Sequence, residues 1–189
     1  MRFISLDIDG IVNNYPISMY NHAFNELGLV VKSKNELIKG LSLKKIEYSD
    51  FKHDYRKKYE CIEETNYDAE ITQEFFDFHK EIEKFENIDI IFRTTRPESI
   101  YPGTLFRTQE WLNYNGIHHL VTQKNKKTFE LNDPILHLDD EIESLDLHKN
   151  FTSIDRLFLF KQTKDNETAA IEYNVISNLM DICSIIRKI

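Results

Sequence analysis

"RFISLDIDGIVNN", residues 2–14, is the stretch on which the reading of this chain turns. Phe3 to Leu6 is a short apolar run, as expected of a strand buried on both faces. It ends in Asp7, Ile8, Asp9 and Gly10. A carboxylate that leaves water without a partner costs free energy, so two of them at the tip of a core strand need a reason. Residues two apart on a strand point the same way. Asp7 and Asp9 are therefore expected to face one centre, with Gly10 letting the chain turn sharply away.

Outward from that strand, four more apolar runs alternate with helical patterns. "IDIIFRT", Ile88 to Thr94, predicts a second strand, Leu120 and Val121 a short third, "PILHLDD" a fourth and "RLFLF", Arg156 to Phe160, a fifth. Thr104 opens a helix that Gly116 closes, and Ile142 and Leu145 suggest another. The tail from Thr168 carries Ile171, Val175, Leu179, Ile182 and Ile186 on one helical face. Strands alternating with helices predict an α/β fold, a parallel sheet covered on both sides. Residues 13–85 break the alternation. Ser18 to Leu27 reads as a helix ended by Gly28, and "SKNE" at 33–36 has capping-box spacing before a short helix stopped by Gly40. Phe51, Tyr55 and Tyr59 form one stripe, and Ile71, Phe75, Phe78, Ile82 and Phe85 another. This all-helical stretch is expected to be a cap inserted into a core made of residues 1–12 and 86–189.

Composition limits what such a fold could do. The 189 residues suit one domain with a sizeable insertion, and 41% hydrophobic content fills a core. No stretch reaches the roughly 20 apolar residues of a membrane helix, and the first apolar run is too short for a signal peptide. A cytoplasmic protein without a membrane partner is expected. Cys61 and Cys183 lack CxxC spacing, which argues against a zinc knuckle or a disulfide framework. A formal net charge of −8 disfavours nucleic acid as the main partner, but not a small phosphate ester in a local cationic pocket.

In an open parallel sheet, ligands bind beyond the carboxyl ends of the strands. There the sequence places Asp7 and Asp9, then Thr94, Thr95 and Arg96, then the lysines of "QKNKK", then Asp139 and Asp140. Acids meeting at one edge repel unless a cation lies between them, and oxygen-only ligands favour Mg²⁺. Carboxylates, a hydroxyl, a lysine and Mg²⁺ together make a phosphoryl-transfer site.

"DIDGIV", "FRTTRPE" and "KTFELNDPILHLDD" resemble, in order and spacing, the four signature motifs of the haloacid dehalogenase (HAD) superfamily of phosphatases. The "TxRP", "TQEWLNYNGI" and "KTF…LDD" segments look most like its 5′-nucleotidase and 5′(3′)-deoxyribonucleotidase branch. Ile11 departs from the family's usual Thr or Val after the glycine, a change of packing. The resemblance implies a Rossmann-like core and gives each residue a role. Asp7 would attack phosphorus and form an aspartyl-phosphate; Asp9 would protonate the leaving oxygen and then activate water. Mg²⁺ would be held by Asp7, the backbone carbonyl of Asp9 and one or both of Asp139 and Asp140. Thr94 rather than Thr95 would bind a phosphoryl oxygen. Lys127, in the "KTF" that precedes the paired acids, would bind another and pair with Asp7, although Lys124 and Lys126 are also candidates. The expected substrate is a nucleoside monophosphate or another small phosphomonoester.

Other readings stand beside this one. An isolated DxDG is as often a turn as a catalytic site, and Asp139 or Asp140 could cap the following helix. Phe51, Tyr55 and Tyr59 are more often cap core than base-stacking rings. Arg96 is a candidate to reach substrate, but reads more readily as a structural or surface residue. A polynucleotide end phosphatase shares the motifs. A receiver domain also gathers acids, Thr and Lys around Mg²⁺, but its phosphate-accepting Asp would end the third strand, where Val121, Thr122 and Gln123 stand. A dehalogenase or an inactive phosphate-binding module would not need an acid at Asp9.

Overall fold

Six short strands form the centre of the computed structural model, which describes residues 2–131, 133–160 and 172–188. They are β1 (Arg2–Leu6), β2 (Ile88–Thr94), β3 (Leu120–Gln123), β4 (Leu136–Asp139), β5 (Leu157–Phe160) and β6 (Asn174–Ile176). The sheet order is β3-β2-β1-β4-β5-β6, and every described pairing is parallel. Strand order therefore reverses between β1 and β4, the switch point at which such sheets open a crevice. Leu6 pairs with both Phe92 and Leu138, and Thr94 with Gln123, so the carboxyl ends of four strands finish nearly level.

Helices cover both faces. Ile4, Leu6, Ile90, Phe92, Leu138, Phe158 and Phe160 share one apolar cluster with Phe75, Phe78 and Ile82 of α4 (Gln73–Ile82) and with Ile182 and Ile186 of α8 (Met180–Ile186). Trp111 and Leu112 of α5 (Thr104–Tyr114) join it. Across the sheet, Leu157 and Leu159 pack with Leu145 of α7 (Ile142–His148). Near β1 that second face is polar: Ser5 Oγ lies 2.9 Å from His137 Nδ1, both buried. α6 (Lys126–Leu131) leads from β3 towards β4.

A separate cluster joins α1 (Ile17–Leu27), α2 (Lys34–Leu43) and α3 (Tyr48–Tyr59), built on Met19, Ala23, Leu37, Leu41, Phe51 and Tyr55. Phe51 and Tyr55 are thus core of this unit. The apolar stripe of α4 faces the sheet instead, so packing separates α1–α3, rather than all of residues 13–85, from the rest. Ser33 caps α2 by accepting the Glu36 N–H, worth about 1 kcal/mol. Glu36 reaches back to the N–H of Lys32, one residue earlier than in a capping box. Gly40 does not stop α2, which runs on to Leu43. A Cβ there would lie 3.2 Å from the side chain of Leu29, so the glycine makes room for that contact.

The tail differs from the expected single helix. Val175 lies in β6 at the sheet edge, and α8 begins only at Met180; Thr168 to Ile171 fall outside the described residues. No helix among the described residues is long and apolar enough to cross a membrane.

Candidate active site

Strand β1 ends at Leu6, and Asp7 opens a turn while its N–H donates to Leu138 O of β4 at 2.9 Å. Asp9 is therefore not on the strand. Ile11 and Val12 donate to Ile8 O, and Gly10 takes φ +86°, so the chain coils at once into a tight turn. Both acids still line one cavity of about 40 Å³, room for about three waters, but with different partners. Gly10 is required twice over, by its positive φ and because a Cβ there would sit 2.2 Å from Asp140 Oδ2.

The lysine that reaches Asp7 is Lys124, not Lys127. Gln123 ends β3 and the Lys124 N–H continues the ladder to Thr94 O at 2.9 Å, which aims its side chain inward. Lys124 Nζ lies 2.9 Å from Asp7 Oδ1, 2.7 Å from Asp139 Oδ2 and 3.1 Å from Ser144 Oγ. Lys127 lies a turn further on, exposed on α6, as does Lys126.

Asp139, fully buried at the end of β4, is engaged at both oxygens. Oδ2 takes Lys124 Nζ and the Ser144 hydroxyl at 2.6 Å and lies 3.2 Å from His137 Nε2; Oδ1 accepts the Glu141 N–H at 3.1 Å. Burial opposes its charge, but Lys124 and His137 outweigh burial and hold the carboxyl well below the usual range. Asp7 and Asp140 go the other way. Burial and the charges of Asp139 and Asp9 push Asp7 up to about 8 against the pull of Lys124. Burial, Asp7 and Asp139 raise Asp140 well above its ordinary value. Carboxylate oxygens of Asp7, Asp139 and Asp140 lie within 4.8 Å of one another. Three crowded acids, two of them reluctant to ionise, fit a divalent cation, which would relieve their repulsion.

Asp9 belongs to a second group. Arg96, fully buried, donates to Asp9 Oδ1 from Nη2 at 2.9 Å and to Thr108 Oγ1 from Nη1 at 2.9 Å; Asn13 Nδ2 donates to Asp9 Oδ1 at 2.7 Å. Burial alone would raise Asp9, but Arg96 and Asn13 hold it below its ordinary value. Arg96 is thus no surface residue; it fixes the position and charge of Asp9. Thr94 is buried at the end of β2, and its Oγ1 accepts the Arg96 N–H at 3.1 Å, while neighbouring Thr95 lines the cavity.

The remaining wall comes from α3 and its end. Lys52, Arg56 and Glu60 line the cavity beside Tyr15 and Glu141. Arg56 Nε pairs with Glu60 Oε2 at 3.1 Å. Burial and the Asp9 charge raise Glu60 to about 7, against Arg96 and Arg56. No sequence motif marked these residues, and the TxRP motif that contains Arg96 gave no sign of its buried contact with Asp9.

Acids and a lysine at the switch point of a six-stranded parallel sheet define the fold as Rossmann-like α/β. No family model and no curated protein matches the chain. Solved structures do. A putative β-phosphoglucomutase from Thermotoga maritima aligns over 100% of both chains at TM-score 0.61 and 12% identity. A haloacid dehalogenase-like family hydrolase from Streptococcus pneumoniae aligns over 98% of both at TM-score 0.62 and 14% identity. A putative haloacid dehalogenase-like hydrolase from Burkholderia xenovorans LB400 covers 99% of this chain at TM-score 0.53 and 12% identity. The chain therefore has the fold of haloacid dehalogenase-like hydrolases.

Proposed function

We propose that the protein is a Mg²⁺-dependent phosphomonoester hydrolase of HAD type, acting through an aspartyl-phosphate on Asp7, with nucleoside monophosphates or other small phosphate esters as substrates. One observation carries this reading: Asp7, Lys124, Asp139 and Asp140, remote in sequence, meet at the carboxyl ends of β1, β3 and β4. Asp140 and Asp7 would supply the side-chain ligands for the ion, because both oxygens of Asp139 are already engaged. The bound ion would neutralise charge on the transferring group.

Asp7 Oδ attacks phosphorus, the bond to the ester oxygen breaks, and that oxygen takes a proton from Asp9. Water, deprotonated by Asp9, then attacks the phosphorus and frees Asp7 and inorganic phosphate. Lys124 holds Asp7 in place and offers positive charge to a phosphoryl oxygen, and Thr94 or Thr95 donates a hydroxyl. With Arg96 against it, Asp9 is already ionised and so ready for the second step. For the first step it must gain a proton, which the negative charge of an approaching phosphoryl group favours. The α1–α3 unit acts as the cap that closes over the ester.

The test is a panel of nucleotides, sugar phosphates and a phosphorylated oligonucleotide, assayed with and without Mg²⁺. Turnover should require the ion and be lost in Asp7→Asn. An Asp7→Asn chain with the parent rate would end the proposal, and preference for the oligonucleotide would move it to a polynucleotide end phosphatase.

A further inference from the structure

The cap side of the cavity holds a cation that the chemistry just described does not use. Lys52 and Arg56 stand one helical turn apart on α3 and so share a face, and both line the cavity that contains Asp7 and Asp9. Arg56 is engaged by Glu60. Lys52 is half-buried, yet among the described residues it donates no hydrogen bond and forms no ion pair. Glu60 and Glu141 are near enough for their charges to act on it, but neither lies within ion-pair distance. Partial burial and the neighbouring Arg56 charge lower its pKa, as expected of an ammonium partly shielded from water and without a direct partner.

Its position says what that partner is. Asp9 must lie beside the leaving oxygen, so the organic part of the substrate extends from Asp9 towards α3. A group there meets Lys52 and the remaining guanidinium nitrogens of Arg56. We propose that the substrate is a phosphomonoester bearing a second anionic group, a carboxylate or another phosphate, and that Lys52, with Arg56 beside it, binds that group. This rests on the phosphatase reading and narrows it: esters with a second anion are preferred to those whose organic part is neutral, nucleoside monophosphates included.

The alternative is that Lys52 only offsets Glu60 and Glu141. In that case its removal would affect all esters alike. The experiment compares 3-phosphoglycerate with glycerol 3-phosphate, which share a three-carbon skeleton and differ in the carboxylate, and glucose 1,6-bisphosphate with glucose 6-phosphate. Two readouts are taken on the full chain with Mg²⁺: kcat/KM of the parent, and calorimetric affinity in the Asp7→Asn background, where no turnover intervenes. In each pair the doubly anionic ester should be favoured by about tenfold, the range of a half-buried charge pair. Lys52→Gln should bring the ratio close to one, and Lys52→Arg should keep most of it. A parent without this preference, or a ratio that survives Lys52→Gln, overturns the proposal. Should p-nitrophenyl phosphate be hydrolysed in an Asp7-dependent way while the ratios stay flat, only this inference fails. Absence of hydrolysis on every ester defeats the phosphatase reading and this inference together. If Lys52→Gln does not fold, a parent without the preference still overturns the proposal, and Lys52→Arg with the ratio kept supports it.

Discussion

Replacing Lys124 by methionine removes a charge whose side chain is 4% exposed, keeps most of its volume, and leaves Asp7 and Asp139 facing each other without the ammonium between them. Breaking a buried ion pair from one side costs about 3–5 kcal/mol. That is a large share of the ~5–15 kcal/mol that holds a domain folded. At about 2–4 °C per kcal/mol for a chain of this length, the melting temperature should fall by about 6–20 °C. Part of the loss should return on adding Mg²⁺, which replaces one cation by another among the same acids, so Lys124→Met should gain more from Mg²⁺ than the parent does. Phosphatase activity should drop by at least about a hundredfold, the loss typical of removing a charged group from a transition state. Lys127→Met is the control. Its exposed side chain should change stability by no more than about 0.5 kcal/mol and leave activity where it was. Calorimetric melting with and without Mg²⁺, together with p-nitrophenyl phosphate turnover, measures all of this. A Lys127→Met variant as damaged as Lys124→Met, or a Lys124→Met variant that melts with the parent, would refute the assignment.

Gly10→Ala should lower stability by about 1–2 kcal/mol for its positive φ and, by displacing Asp140, weaken the Mg²⁺-induced rise in melting temperature; an undiminished rise would contradict the close approach. Arg96→Met should cost about 3–5 kcal/mol and release Asp9 to a higher pKa, moving the acid limb of the kcat profile upward. Glu60 is held near 7 against an ordinary 4.5, so the folded chain binds its proton more tightly than the unfolded one. Stability is then lost as pH rises from about 4.5 to about 7 and is flat above. Glu60→Gln removes that slope and should be the more stable form at pH 8, by at most ~3 kcal/mol after loss of the Arg56 pair; equal melting profiles across pH 5–8 would count against it.

Strands were legible because parallel sheets demand apolar runs, and β2 matches its sequence limits residue for residue. The acids were legible because carboxylates at such ends are costly without a cation. Lys124 was not, because three lysines in four residues share one composition and the motif spacing points to Lys127. The signal was present in another form: Asp7 and Lys124 each directly follow the last residue of a strand, and Thr94 and Asp139 each end one. Arg96 carries no periodicity that marks it as buried; only the approach of Asp9 and Thr108 does so. The apolar stripe of α4 is equally good for a cap or a core, and the period of a helix does not name what it packs against. β6 has three residues, too few to show an alternation within a helical pattern.

The most direct test replaces Mg²⁺ by Mn²⁺ in crystals and locates the ion by its anomalous scattering. A single strong peak about 2.0–2.3 Å from oxygens of Asp7 and Asp140, the range of hard divalent ions, is the predicted result. A peak elsewhere, with these two carboxylates uncoordinated, would contradict the account.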